Sequence, residues 1–419
     1  MPSVLKVRVF QELTPDGRLL FGTRCVRLFA YGFLSVVLVL YLNAIGLTEA
    51  QVGLLLTMIL LGDTAISLAL TTTADRVGRR VMLVVGAGLM VLAGAVFALT
   101  RDFWWLVAAA TIGVISPTGG EVGPFLSIEQ AALSQTVPEQ RRTEVFAWYN
   151  LVGSLATAVG ALTGGAVTQG FQAWGIGGAA SYRPSIIGYA VFGVILTAFF
   201  LRLSPAAEPA SDRAAPGDSV ELFGFGLHGS LPVVLKLSGL FALDSFGGGF
   251  VIQSIVAYWF YLRFAVEPAT IGAIFFGANI VAGVSALTAA WVARHIGLVN
   301  TMVFTHLPSN VLLILVPLMP NLPLAILVLL LRFSISQMDV PTRQAYTMAV
   351  VTADERSAAS GVTGVARSLG GAVSPLLAGV LVANPVLTSV PFFLAGGIKI
   401  VYDLLLYRSF IAFRGPESR

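Results

Sequence analysis

Long apolar runs recur roughly every 30 residues along this chain, each about the length a helix needs to cross a bilayer. In hydrocarbon every backbone N–H and C=O must be satisfied within the protein, so only helices and closed barrels can span. Barrel strands would alternate polar and apolar residues in segments of about ten, whereas these runs are continuous. Helical spans are therefore expected near 28–46, 50–72, 81–99, 103–136, 144–167, 185–203, 233–262, 269–293, 298–319, 321–351, 357–383 and 387–411. Spans 4 and 10 exceed the minimum and must tilt or project past the hydrocarbon. The expected fold class is an all-α membrane protein of twelve transmembrane helices. Charged residues are only 11% of the 419 and apolar ones 56%. Soluble domains carry about a quarter charged residues, so lipid is the natural solvent and the bilayer the first partner.

The formal net charge of +4 does not point to nucleic acid, because the basic residues follow the spans. Lys6, Arg8, Arg18, Arg24 and Arg27 precede span 1, and Arg76, Arg79 and Arg80 follow span 2. Arg141 and Arg142 follow span 4, Arg202 and Arg213 span 6, Arg294 span 8, and Arg356 span 10, with Arg408, Arg414 and Arg419 at the end. The opposite loops hold only Arg101, Arg183 and Arg263. The positive-inside bias places both termini in the cytoplasm, in a multi-pass protein of the cytoplasmic membrane. Residues 1–20 show no separate apolar core with a small-residue cleavage site, so span 1 is expected to serve as its own insertion signal. The single cysteine, Cys25, excludes an intramolecular disulfide and reads as a packing residue.

Residues 204–230 break the pattern, with Pro205, Pro209 and Pro216 set among Glu208, Asp212, Arg213, Asp218 and Glu221. This composition suits a linker, dividing the chain into bundles at 1–203 and 231–419. The stretch Leu222–Leu227 reads as linker or as a short surface segment. The halves look related. An offset of 214 places Gln130-Ala131 on Gln344-Ala345, Val137 on Val351, Arg142 on Arg356, Leu155 on Leu369 and Gly165 on Gly379. An offset of 219 places Gly53 on Gly272 and Gly78 on Gly297. Parallel repeats around a central loop suit a transporter with a midplane site.

After span 2 stands Asp75-Arg76-Val77-Gly78-Arg79-Arg80. Gly78 permits a tight reversal, and the arginines hold the loop at the anionic cytoplasmic face. Asp75 can accept from the positive N-terminus of a neighbouring helix. This loop resembles motif A of the major facilitator superfamily, with Thr71 in the place of the leading glycine. At the equivalent place in the second half, Arg294-His295-Ile296-Gly297-Leu298 has lost the acid and the paired arginines. Span 5 holds Gly160-Ala161-Leu162-Thr163-Gly164-Gly165, similar to the family's motif C but with Ala161 for proline; span 11 carries Gly370-Gly371 and Pro375. Small residues at such spacing also serve close helix packing. The resemblance implies two pseudo-symmetric six-helix bundles, alternating access, a monomer, and a cavity lined by spans 1, 4, 7 and 10. Motif C is associated with proton-coupled exporters. Span 4 lacks the family's motif B arginine, which separates this chain from the usual multidrug pattern.

An ionisable group at mid-membrane costs about 2.5–3.5 kcal/mol by insertion scales and by default faces a cavity or a partner. Span 4 places Glu121 among Pro117, Gly119, Gly120, Gly123 and Pro124, and broken helix at depth must be shielded or line water. Span 10 carries Arg332, Asp339 and Arg343, whose spacings suit one helical face. The resemblance implies that Glu121 faces Arg332 and Asp339 across the cavity. Glu121 or Asp339 is the expected carrier of a coupling proton, with a static ion-pair network as the alternative. Glu129 and Arg343, equivalent under the 214 offset, are expected to gate, together with Asp75, Arg76, Gly78, Arg79 and Arg80. Further cavity candidates are Tyr31, Asp244 beside Gly247-Gly248-Gly249, and Gln253. Asp63 and Arg367 suit either the cavity edge or an interhelix pair. Lys399 and Asp403, four apart, read as a local pair, and His306 as a hydrogen-bonded packing residue. His228 and His295 fall on loops, so no metal cluster is expected.

No Walker-type phosphate loop appears and no loop has room for a nucleotide-binding domain, so no cofactor is expected. The chain reads as a secondary active transporter of a small organic solute, working by proton-coupled efflux (antiport). The alternatives are proton-coupled uptake (symport) or uniport of a metabolite. An integral membrane enzyme is a distant alternative: the acids are at depth, with no accompanying nucleophile motif or His/Asp pair.

Overall fold

The computed structural model describes residues 13–137, 141–208, 227, 229–352 and 355–410. Lys6, Arg8, Arg213, Arg414, Arg419, His228 and most of the expected linker, including Leu222–Gly226, lie outside the described residues. Sixteen α-helices are described: α1 Pro15–Ser35, α2 Leu38–Ala44, α3 Glu49–Val77, α4 Arg79–Leu99, α5 Phe103–Ile112, α6 Phe125–Thr136, α7 Arg142–Ala173 and α8 Ala179–Phe200 in the first half. The second half contains α9 Leu231–Gly249, α10 Gln253–Phe264, α11 Pro268–Ile296, α12 Leu298–Leu315, α13 Leu322–Ser336, α14 Asp339–Ala349, α15 Arg356–Val382 and α16 Val390–Phe410. Ten helical stretches among them are long and apolar enough to cross a bilayer, and α1 with α2, bent by 44°, makes an eleventh. The expected fourth span is present as α5 and α6 on either side of irregular residues 113–124.

The first helix begins well before the expected residue 28. Thr14 caps it, its hydroxyl accepting from Gly17 N at 3.1 Å, and Pro15 occupies the first turn, where a missing N–H costs nothing. Arg24 and Arg27 therefore lie inside α1, and both are buried. Reading them as loop charges is corrected: charges that face protein partners do not limit an apolar helix.

Two compact units divide the chain. Unit 1 comprises Met1–Leu47, Gly62–Pro216 and Glu267–Phe276; unit 2 comprises Thr48–Leu61, Gly217–Val266 and Gly277–Arg419. The start of α3 thus belongs to unit 2 and the start of α11 to unit 1. In unit 1, α1 packs along α7 and α8, and α4 along α8. In unit 2, α9 packs along α15 and α16, and α12 along α13, α14 and α16. The unit 2 core gathers Leu237, Phe241, Met302, Val303, Tyr402 and Leu406.

Close approach explains the small residues of spans 5 and 11. A Cβ on Gly160 or Gly164 of α7 would collide with the α1 backbone at Phe29 or Phe33, and one on Gly370 of α15 with Ala242 of α9. Lipid offers no hydrophobic drive between helices, so such backbone proximity is the main source of packing energy.

The loop after α3 reverses at Gly78, whose φ of +116° suits glycine. Asp75 does not accept from the N-terminus of α4. It pairs with Arg79 at 2.8 Å, while Glu208 receives the backbone N–H groups of Arg79 at 2.6 Å and Arg80 at 3.0 Å. Glu208 is nearer because it returns from the end of α8, and its charge meets the positive end of the α4 dipole.

Candidate functional site

Unit 1 holds a four-charge cluster between α1 and the broken fourth span. Arg24 and Arg27, three apart, share one face of α1. Arg24 pairs with Glu121, and its Nε donates to Tyr149 O at 2.7 Å. Arg27 reaches Glu121 at 3.2 Å and Glu129 at 2.7 Å. Glu129, fully buried, also accepts from the Thr23 hydroxyl at 2.7 Å and from the Tyr149 hydroxyl. Glu121 differs from the rest: its side chain is 20% exposed, while those of its arginine partners are 6% and 0%.

The irregular stretch that carries Glu121 is satisfied by side chains. Tyr189 donates to Val114 O at 2.5 Å, Ser116 to Gly120 O at 2.7 Å, Thr157 to Gly119 O at 3.3 Å and Tyr31 to Val122 O at 3.3 Å. Asp63 accepts from Gly123 N at 2.5 Å, where the backbone turns at a positive φ. Non-helical backbone at membrane depth persists only with such partners. Asp63 thus bonds to the backbone of the fourth span.

Unit 2 holds a second cluster, centred on Asp244 of α9. Lys399 donates to its Oδ1 at 2.6 Å and Arg343 to its Oδ2 at 3.0 Å. Arg343 also pairs with Asp339 at 3.2 Å. His306 Nδ1 stands 2.8 Å from Asp403 Oδ1, and Asn310 donates to Asp403 Oδ2 at 2.9 Å. Asp244, Asp339, Asp403, His306, Arg343 and Lys399 are all buried. The Nε atoms of Arg332 and Arg367 are buried without a hydrogen-bond partner. Among the described residues no three His, Cys, Asp or Glu side chains are grouped to hold a metal ion.

Ion pairs built into apolar helices, half by half, suit a solute path better than a catalytic pocket. Residues 20–375 match the Major Facilitator Superfamily. The chain belongs to this superfamily. It is similar to an uncharacterized membrane protein of Saccharomyces cerevisiae, 31% identical over 433 residues, covering 96% of this chain and 95% of the yeast protein. Among solved structures it resembles the nucleoside transporter NupG, with TM-score 0.72 and 13% identity over 96% of this chain and 100% of that one. It also resembles a D-xylose-proton symporter, with TM-score 0.72 and 13% identity over 94% and 97%. A bacterial homologue of the human lysosomal transporter Spinster gives 0.67 and 16% over 94% of each chain. At these identities the likeness shows the fold. This facilitator is a multi-pass membrane transporter of a solute, not an enzyme.

Several residues of the facilitator sit differently from expectation. Tyr31, expected at the substrate cavity, is fully buried; its hydroxyl is needed by the broken backbone of span 4. Arg332, Asp339 and Arg343 do not share a continuous helical face, because the tenth span breaks between α13 and α14. Pro341 accounts for the break: its ring would clash with the carbonyl four residues back, at Gln337. Lys399 and Asp403 do not pair with each other. The Lys399 stem runs over Gly247 and Gly248, its Cγ 3.0 Å from where a Gly247 Cβ would sit, and this brings the ammonium to Asp244 instead. Gln253 accepts from Asn279 at 3.3 Å. Arg76 is exposed. Glu129 and Arg343 are each engaged inside their own units. Sequence reasoning missed Arg24, Arg27, Tyr149 and the joint cluster of Lys399, His306 and Asp403. The recoverable signal was the three-residue spacing of Arg24 and Arg27 opposite two acids eight apart in span 4.

Proposed function

We propose that this facilitator exports a small organic solute in exchange for protons, acting as a monomer in the cytoplasmic membrane with both termini inside. Export is read from the motif C resemblance of span 5, and the proton from Glu121. Glu121 is the observation that carries the reading. It is the partly exposed member of a buried charge cluster, held by two arginines at the break of span 4. A proton on this carboxylate cancels the charge that holds Arg24 and Arg27, which frees the break to rearrange. Removing one partner from a buried ion pair costs about 3–5 kcal/mol, ample to shift a two-state equilibrium by several powers of ten. Asp339, its side chain 8% exposed and paired with Arg343, is the less accessible of the two acids. With both signs of charge present, a zwitterion or an ion of matched charge fits the interior.

The test uses proteoliposomes loaded with a pH-sensitive dye, under imposed pH gradients of either sign. Panels of organic cations, organic anions, amino acids and nucleosides are added as probes. Antiport predicts that a translocated probe moves protons the opposite way and that Glu121→Gln uncouples its flux from the gradient. Proton movement in the same direction as the probe means symport. Probe flux with no proton movement removes the coupling altogether.

A further inference from the structure

The cluster around Asp244 contains a group for which pairing alone gives no role. His306 lies in α12 between two carboxylates. Its Nδ1 is 2.8 Å from Asp403 Oδ1; toward an ionised carboxylate, Nδ1–H is the donor of that bond. Asn310, on the same helix, holds the other Asp403 oxygen at 2.9 Å. Nε2 then faces Asp244 Oδ1 from 3.7 Å, beyond hydrogen-bond distance. That oxygen is already taken by Lys399 Nζ at 2.6 Å. An unprotonated nitrogen and a carboxylate oxygen both present lone pairs, so they stand apart. A proton on Nε2 turns the same approach into a charged N–H···O bond, aimed at the oxygen that Lys399 occupies.

We propose that His306 is a proton-binding site of unit 2, and that a proton on its Nε2 competes with Lys399 for Asp244 Oδ1. The proton enters from water onto Nε2 and leaves the same nitrogen when Lys399 closes again. Imidazole is the side chain whose charge changes most readily near neutral pH. The Lys399 stem lies directly on Gly247 and Gly248, which present no side chain beneath it. Asn310 Nδ2 also lies 3.2 Å from the ring's Nδ1. Asp244 of α9 is held on its far oxygen by Arg343 of α14, which also binds Asp339. Tyr402 of α16 packs edge-on against the ring at 5.9 Å. Arg332 of α13 and Arg367 of α15 lie in the field of Asp244 and Asp339. The competition ties α9 to α12 in one protonation state and to α16 in the other. Its role in transport rests on the proton-coupled reading above, but proton binding itself is tested without a transported solute.

The chain has three histidines, so the full-length protein labelled with 15N-histidine in nanodiscs gives few imidazole signals, and His306→Gln identifies the relevant ones. Between pH 5 and 9 the His306 signals are expected to pass from the doubly protonated to the singly protonated form. A charge at this range moves a titration by about 1–3 pH units. Lys399→Met should therefore raise the proton affinity of His306 about tenfold or more, while Lys399→Arg leaves it near the wild-type value. Asp403→Asn should lower it by a similar factor. Should these variants not fold, bulk proton uptake over the same range should be one proton greater in wild type than in His306→Gln. His306 signals that stay in one form throughout, an affinity unchanged in folded Lys399→Met, or equal bulk uptake would overturn the proposal. If His306 titrates as described while the proteoliposomes show no proton movement with any translocated probe, the antiport reading fails and the proton site stands.

Discussion

Glu129 and Glu121 sit eight residues apart on one span and share Arg27, yet their surroundings differ. Glu129 is fully buried, pairs with Arg27 and accepts from Thr23 and Tyr149, whereas Glu121 keeps a fifth of its side chain exposed. Arg27→Met should therefore cost about 3–5 kcal/mol of stability, because it strands Glu129 in the interior. Arg27→Met with Glu129→Gln should cost less than the sum of the two single changes, by about 0.5–3 kcal/mol. Unfolding followed by tryptophan fluorescence during detergent titration measures both. A gate at Glu129 would give a different result: flux would change in Glu129→Gln with stability hardly altered. Glu121 was legible because a carboxylate amid apolar residues stands out. Its partners were not, because Arg24 and Arg27 occupy the edge of an apolar run, where basic residues ordinarily mark topology. Lys399 was misassigned for a related reason. Spacing along one helix shows which side chains are able to meet, but not that the glycines of α9 leave a shorter path to Asp244.

At the scale of helices, hydropathy located the spans, and their interruptions followed from proline and glycine. The break beside Glu121 was legible from Pro117, Pro124 and three glycines. The break before α14 required noticing that Pro341 forbids helix continuity four residues back. What hydropathy does not carry is the partner of each helix, which depends on where backbones approach. The motif C glycines are explained by that approach: Gly160 and Gly164 bring α7 onto α1. Gly160→Ala should thus destabilise by about 1–3 kcal/mol through overpacking against the Phe29 carbonyl. Gly88→Ala on α4, where an added Cβ meets nothing within 4 Å, should leave stability unchanged or slightly raised, since alanine favours helix by up to about 1 kcal/mol. Melting midpoints of the two variants in one detergent provide the comparison. Equal midpoints would mean that α1 and α7 are not in backbone contact.

Across the whole molecule the two units repeat one device with the signs exchanged. In unit 1 an arginine of the first span, Arg27, meets the acid Glu129 of the fourth. In unit 2 an acid of the seventh span, Asp244, meets Arg343 of the tenth, and Glu129 and Arg343 are equivalent under the 214-residue offset. A duplicated bundle can keep its internal lock under either polarity, because only the product of the charges enters the attraction. Burying Arg24 and Arg27 removes them from the count of topogenic charges, and the orientation must survive without them. The charge bias persists even with Arg79, likewise buried, left out: Arg18, Arg76, Arg80, Arg141, Arg142, Arg202, Arg294, Arg356 and Arg408 stand against Arg101, Arg183 and Arg263. With the free Cys25 replaced by serine, two single cysteines test this in intact cells. Gly177, between α7 and α8 with no neighbour near its Cβ position, should react as Gly177→Cys with a membrane-impermeant maleimide added outside. Ala206, exposed just after α8, should react as Ala206→Cys only after permeabilisation. The opposite pattern would invert the protein in the membrane and, with it, the direction assigned to the proton.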